Sequence, residues 1–187
     1  MEITKYENYP FWIIMVFNFV STAIYVIGAY IMYRVGIIWL VIYLLYIIFL
    51  ETRILSISCV RCYYYGKSCA FGRGKISCLF FKKGESQKFS QRQITWKAII
   101  PDFLVSIIPA VIGIVLLIRD FNWLILLLIV ILFLLSSAGN GFIRGSLACK
   151  HCKQQDLGCP AAQLFYKNRD NNKNDWKKCV WLLQKLF

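Results

Sequence analysis

Charge is scarce in this 187-residue chain: Asp, Glu, Lys and Arg together make up 17% of it, against about 25% in an ordinary soluble domain. Histidine occurs once, at His151, and the acidic residues number only nine. With 59% hydrophobic residues and a mean hydropathy of +0.58, the chain cannot wrap a core in a solvated polar surface. It is not disordered either, because disordered chains lack the apolar residues that abound here. The eight cysteines are diluted among long apolar runs, which argues against a small disulfide scaffold. No phosphate-binding glycine loop, serine-nucleophile motif or two-histidine metalloprotease helix is present. The composition is that of an integral membrane protein.

Four uncharged runs carry the membrane signal. Residues 11–33 and 121–143 are 23 residues each, and at about 1.5 Å per residue such a helix reaches about 35 Å, enough for a hydrocarbon core of about 30 Å. Residues 35–50 and 103–118 are 16 each. They reach spanning length by taking in the flanks 51–55 and 96–102, whose charges can snorkel to headgroups. Short turns at 33–36 and 119–122 make two helical hairpins. Of the 22 Lys and Arg residues, 19 lie within 51–97 and 138–187, so the positive-inside rule makes that side cytoplasmic, together with both termini. The first run is too long for the apolar region of a cleavable signal and reads as a retained helix. Topology and anionic headgroups account for the net charge of +13. Membrane lipids are therefore expected partners, and nucleic acid is not, since no groove-reading motif accompanies the charge.

The chain also repeats itself. Pro10 opens one unit and Pro101 the other, and each runs as span, charged turn, span, cysteine motif. The first motif is Cys59-x2-Cys62-x6-Cys69 and the second Cys149-x2-Cys152-x6-Cys159; Arg53 and Arg144 stand at matching places before them. The expected fold is all-α: four transmembrane helices as two duplicated helical hairpins, each followed by a cytoplasmic Cys-rich module. Residues 1–97 form the first repeat, 98–173 the second, and 174–187 an amphipathic tail helix in the membrane interface, with Trp176, Val180, Leu183 and Phe187 on one face. Two spans per unit insert both copies in the same orientation, related by a pseudo-twofold axis along the membrane normal.

Cysteines at C-x2-C spacing point two sulfurs inward from one turn, as in zinc knuckles and iron–sulfur sites. A reducing cytoplasm favours ligands over disulfides. The candidate metal ligands are Cys59, Cys62, Cys69 and Cys78, then Cys149, Cys152 and Cys159. Only three per unit are shared, because Cys78 and Cys179 have no counterparts, and Cys179 belongs to the tail. His151 lies inside the second turn, where its ring is expected to point away. Three thiolates with an exchangeable fourth ligand suit zinc or an iron–sulfur cluster, and ligands shared across the units are a further solution. Disulfides, reactive thiols and acylated juxtamembrane cysteines are the competing readings.

Around the first motif stand Arg61, Tyr63, Tyr64, Tyr65, Lys67, Phe71, Arg73 and Lys75. Such cations would depress thiol pKa values, although an interfacial belt of tyrosines and lipid-facing cations is the favoured reading of these side chains. Glu51 is expected to pair with Arg53 or another arginine, and Asp102 to cap the third span. Asn18, Ser21, Thr22, Ser136, Ser137 and Asn140 are expected to bond between helices, and Gly139, Gly141 and Gly145 to allow close approach. The leading function is a platform for a protein partner or lipid, built on two thiolate metal modules. The alternatives are an iron–sulfur electron-transfer subunit with a redox partner, a metal transporter, or a lipid-modifying enzyme using Glu51 and Asp102. Transport is disfavoured because Met15 and Met32 are isolated within the span. The Asp-His-His-Cys segment of protein S-acyltransferases is absent, and Cys149-Lys150-His151-Cys152 does not replace it. The hairpins would suit either a compact monomer or a homodimer.

Overall fold

A single residue separates the first two long helices. The computed structural model describes residues 4–86, 89 and 96–159, beginning with a short N-terminal segment and then α1 (Phe11–Val35) and α2 (Ile37–Ile57). Gly36 joins them at φ 157° and ψ 158°, a backbone region open essentially only to glycine. A compact cysteine loop follows, then α3 (Arg73–Phe80), α4 (Trp96–Arg119) and α5 (Trp123–Leu134). Asn122 caps α5, its Oδ1 accepting from the Leu124 amide at 2.9 Å, which satisfies one of the orphan donors of a helix start. Beyond α5 the same rod continues through π turns at Leu135–Gly139 and Ile143–Ala148. Among the described residues, four helical stretches are long and apolar enough to cross a membrane: Phe11–Val35, Ile37–Arg61, Ile99–Arg119 and Trp123–His151. The two shorter apolar runs do extend through their charged flanks, as expected.

Large apolar side chains such as Phe19, Ile38, Leu45, Ile118 and Trp123 face outward, the arrangement expected where lipid is the solvent. Inside, α1 packs on α2 and α4, and α4 on α5. Ile24, Ile31, Leu50, Val105 and Leu132 form the buried centre. Three helices approach most closely at Gly28. A Cβ there would overlap the Tyr43 hydroxyl, lie 2.7 Å from Tyr43 Cζ and 3.1 Å from Pro109 Cγ. Pro109 is fully buried within α4 and has no amide, so the carbonyl four residues earlier loses its helical donor. That carbonyl belongs to Val105, and Tyr43 Oη donates to it at 2.9 Å. The neighbouring helix thus replaces the missing bond, the way proline is tolerated in spanning helices.

Three sequence expectations change here. Pro101 lies inside α4, its carbonyl taking a further hydrogen bond from Tyr46 Oη at 2.8 Å. Asp102 accordingly is not a cap, since the helix already runs from Trp96. Asn18, Ser136 and Ser137 bond carbonyls of their own helix rather than a neighbour, as short polar side chains do on an i−3 or i−4 turn. Close packing falls not at Gly139 or Gly145, whose added Cβ atoms would meet little or nothing, but at Gly28 and at Gly113 beside Ile129.

Candidate functional site

The N-terminal segment, the loop after α2 and the end of the fourth span meet in one buried cluster. Its core is Tyr9, Ile13, Tyr64, Cys69, Ala70 and Ala148, with Cys62 and Cys152 packed against it. In the first motif Cys59–Arg61 forms a 3-10 turn. The Cys62 amide donates to Cys59 O at 3.3 Å, and the Tyr65 amide to Cys62 O at 3.1 Å. The second motif repeats this pattern: Cys149–His151 is a 3-10 turn, Cys152 N donates to Cys149 O at 3.2 Å, and Gln155 N to Cys152 O at 3.2 Å. Cys69, nearly buried, accepts from the Gly74 amide at 3.3 Å. Only glycine fits at 74, because a Cβ would strike the carbonyls of Tyr64 and Lys67.

The two turns are sewn together. The Tyr63 amide donates to Gln154 Oε1 at 2.6 Å, and the Lys153 amide to Tyr64 Oη at 3.0 Å. Gln154 is 4% exposed, so both of these bonds exchange water for protein partners. The N-terminal segment bridges the pair: Tyr6 N donates to His151 O at 3.1 Å and Tyr9 N to Ser68 O at 2.9 Å. Tyr9 Oη donates to Ala148 O at 2.5 Å and Tyr64 Oη to Tyr6 O at 2.7 Å. Lys153 pairs with Glu7 at 2.7 Å, and Lys5 pairs with Asp156. The His151 ring meets the N-terminal segment, its centroid 5.0 Å from that of the Tyr6 ring. Its Nδ1 lies 2.7 Å from Thr4 O, and since a carbonyl only accepts, that nitrogen carries the proton.

Burial, not the surrounding cations, governs these thiols. It pushes Cys62 up to about 12, and the thiols of Cys152, Cys69 and Cys59 push in the same direction. Cys152 is raised chiefly by burial too, with Cys159 adding to it. The expected depression by nearby basic residues is not what these two show, because the cations are spent elsewhere. Lys67 lies over the Tyr63 ring at 4.3 Å, and Arg73 pairs with Glu51. The belt reading also fails for Tyr64, 2% exposed, which burial holds neutral with a pKa of about 12. Cys78 is exposed and stands by Tyr65 and Gly66, apart from the other thiols.

Below the cysteines lies a ring of charge at the same end of the bundle. Glu51 accepts from Tyr25 Oη at 2.6 Å and from Arg73, one of the arginines expected to pair with it. Asp102 sits in the fields of Arg53 and Arg144, the two arginines at matching places in the sequence. Arg144 also reaches over Phe17 and Phe71, at 5.8 and 5.7 Å, rings packed edge to face at 4.2 Å.

None of the seven described cysteines is in a disulfide. Among the described residues no three His, Cys, Asp or Glu side chains already converge to hold one metal ion. Cys179, the expected tail helix over 174–187 and residues 160–173 of the expected second repeat lie outside the described residues. The clasp by Tyr6, Tyr9, Tyr64 and Gln154 was missed from sequence; the run of Tyr residues beside the first motif was its only signal. Fold and site together define, over the described residues, an all-helical chain with four helices long and apolar enough to cross a membrane and a cysteine-rich cap at one end of them. Compared with family models, curated proteins and solved structures, it finds no match.

Proposed function

We propose that this is a multi-pass membrane protein of two duplicated hairpins whose cysteine turns face the cytoplasm and bind metal as thiolates. Zinc or an iron–sulfur cluster is the metal group, and the cap serves as a platform for a protein partner or lipid. The observation that carries this reading is the pair of C-x2-C turns with the same backbone hydrogen bonds, held against each other with unbridged sulfurs. Nineteen of 22 basic residues on that side support the orientation. Ligation would require the buried thiols to release their protons to solvent as the metal enters, and drawing both turns inward would close the cap.

The test is metal and acid-labile sulfide content, with the visible spectrum, of protein purified anaerobically in detergent. Colourless protein with stoichiometric zinc is expected for the platform. Iron with sulfide and charge-transfer absorption would instead make the cap an electron-transfer unit. Metal-free protein with oxidised cysteine pairs would overturn the reading.

A further inference from the structure

At the base of the cysteine cap the outer face of α2 carries a groove of about 400 Å³, within the usual range of small-ligand sites, about 300–1,000 Å³. Phe49, Arg53 and Ile57 stand one helical turn apart on that face, with Thr52 and Ser56 between them, and Phe81 forms the opposite wall. That wall is fixed. Tyr65 Oη donates to Phe81 O at 2.7 Å, the Phe81 amide to Ser77 O at 2.9 Å, and the Gly84 amide to Val60 O at 3.0 Å. Lys82 and Lys83 follow Phe81 and are exposed, as are Leu79 and Phe80 before it. An apolar pair and a basic pair thus flank the wall, the composition of a segment at a headgroup boundary.

The chemistry along the groove is graded. Phe49 lies farthest from the cap, Arg53 one turn nearer, and Ser56 and Ile57 nearer still. The step from Phe49 to Ser56 covers about 10 Å at about 1.5 Å per residue. Acyl chain, phosphate and headgroup of one phospholipid would therefore meet an aromatic ring, a guanidinium and a hydroxyl in that order. Arg53 also sits in the field of Asp102, and a guanidinium has donors enough for both anions. In the charge ring Arg53, Arg73 and Arg144 stand against Glu51 and Asp102, so one further negative charge balances it. The Thr52 hydroxyl donates to Ile48 O and Phe49 O at 3.0 and 2.9 Å, and the Ser56 hydroxyl to Arg53 O at 3.3 Å. With their protons so used, both oxygens remain as acceptors, which suits a headgroup that itself carries hydroxyls. A headgroup ending in an ammonium would meet the surplus positive charge and the two lysines instead.

We propose that this groove binds an anionic phospholipid with a hydroxyl-bearing headgroup, of the phosphatidylglycerol type, its phosphate on Arg53 and an acyl chain against Phe49. The inference rests on the reading that the helices cross a membrane and that lipid is a partner of the cap end, and it is independent of whether the cysteines hold metal.

Native mass spectrometry of the full chain in detergent tests it, by titration with phosphatidylglycerol, phosphatidylserine and phosphatidylcholine of the same acyl chains. Phosphatidylglycerol is expected to bind about tenfold tighter than phosphatidylcholine, the effect of one charge-assisted hydrogen bond, and tighter than phosphatidylserine, which carries an ammonium. Arg53→Gln should bring it to the level of phosphatidylcholine. The exposed pair Lys82→Gln and Lys83→Gln should lower the preference too, and decides the matter should Arg53→Gln fail to fold. A diazirine on the acyl chain of phosphatidylglycerol should label the peptide that carries Phe49, which locates the lipid without any variant. Equal affinity for phosphatidylglycerol and either other lipid, a preference untouched by both variants, or label elsewhere would overturn the site and leave the membrane reading standing. Displacement of the lipid by inorganic phosphate at equal concentration, or a second chain bound in its place, would do the same. Release of the chain from membranes by alkaline carbonate would overturn both.

Discussion

Glu51 shows what single residues contribute at the charged end of the bundle. Its carboxylate lies near the end of α2 and takes hydrogen bonds from Tyr25 and Arg73, with the two charged side chains only 27% and 16% exposed. A partly shielded, hydrogen-bonded ion pair exceeds the usual surface value yet stays below a fully buried one. Glu51→Gln is expected to cost about 1–2 kcal/mol, in the range for hydrogen bonds to charged groups with some solvent screening. Removing Arg73 as well should cost less than the sum of the two single changes, because no orphaned charge remains. Thermal unfolding in detergent of the single variants, Arg73→Gln and the double variant checks this, and strict additivity would mean that the pair is not made. Nothing in the local sequence marks the pairing. Arg73 lies 22 positions from Glu51, beyond any helical spacing, and was grouped with the lipid-facing cations for want of a visible partner.

At the scale of elements, the junction of α1, α2 and α4 rests on one glycine, one tyrosine and one proline. Gly28→Ala places a methyl against Tyr43 Oη and Cζ and beside Pro109, and overpacking of this kind costs about 1–3 kcal/mol. Tyr43→Phe loses the hydrogen bond to the Val105 carbonyl, worth about 0.6 kcal/mol on average and up to about 1.7 between spanning helices. Since the hydroxyl is the nearest atom to the new methyl, the double variant should be more stable than the two separate losses add up to. Denaturant or thermal unfolding of all three proteins measures that coupling, and additivity would refute the contact. The four long helices were legible because each apolar run carries its own length and hydropathy, independent of any neighbour. Pro101 lies within α4 and does not mark where that helix begins. Proline is a boundary signal only where no neighbour compensates for the lost bond, and here neighbouring tyrosines supply hydrogen bonds to α4. The eight-residue α3, with two basic residues and a glycine among its first three positions, carries no such independent signal. The clasp was invisible because its bonds and ion pairs join residues 58 to 151 positions apart, and no periodicity reports such contacts.

For the whole molecule the arrangement turns on which end faces the cytoplasm. The cysteine turns, the charge ring and the N-terminal clasp all occupy one end of the four helices, and the hairpin tips at Gly36 and at residues 120–122 occupy the other. Among the described residues, Arg34 and Arg119 are the basic ones near the tips, and basic side chains crowd the first end. Moving them across the bilayer would carry a large cost, which is the physical content of the positive-inside rule. Sequence alone expected both cysteine motifs on one side, and the structure brings them together at one end of the four helices; their mutual contact, made through Tyr63, Tyr64, Lys153 and Gln154, carried no periodic signal in the sequence. Exposed Cys78 offers a native probe of the cap end, and Asp120→Cys adds one at an exposed tip. In right-side-out vesicles a membrane-impermeant maleimide should modify position 120 and spare Cys78, and inverted vesicles should reverse the pattern, read at peptide level by mass spectrometry. Modification of Cys78 from outside would place the cap in the extracytoplasmic space. Unbridged thiols there would be exposed to oxidation rather than kept ready for metal, so the orientation and the thiolate reading would fall together.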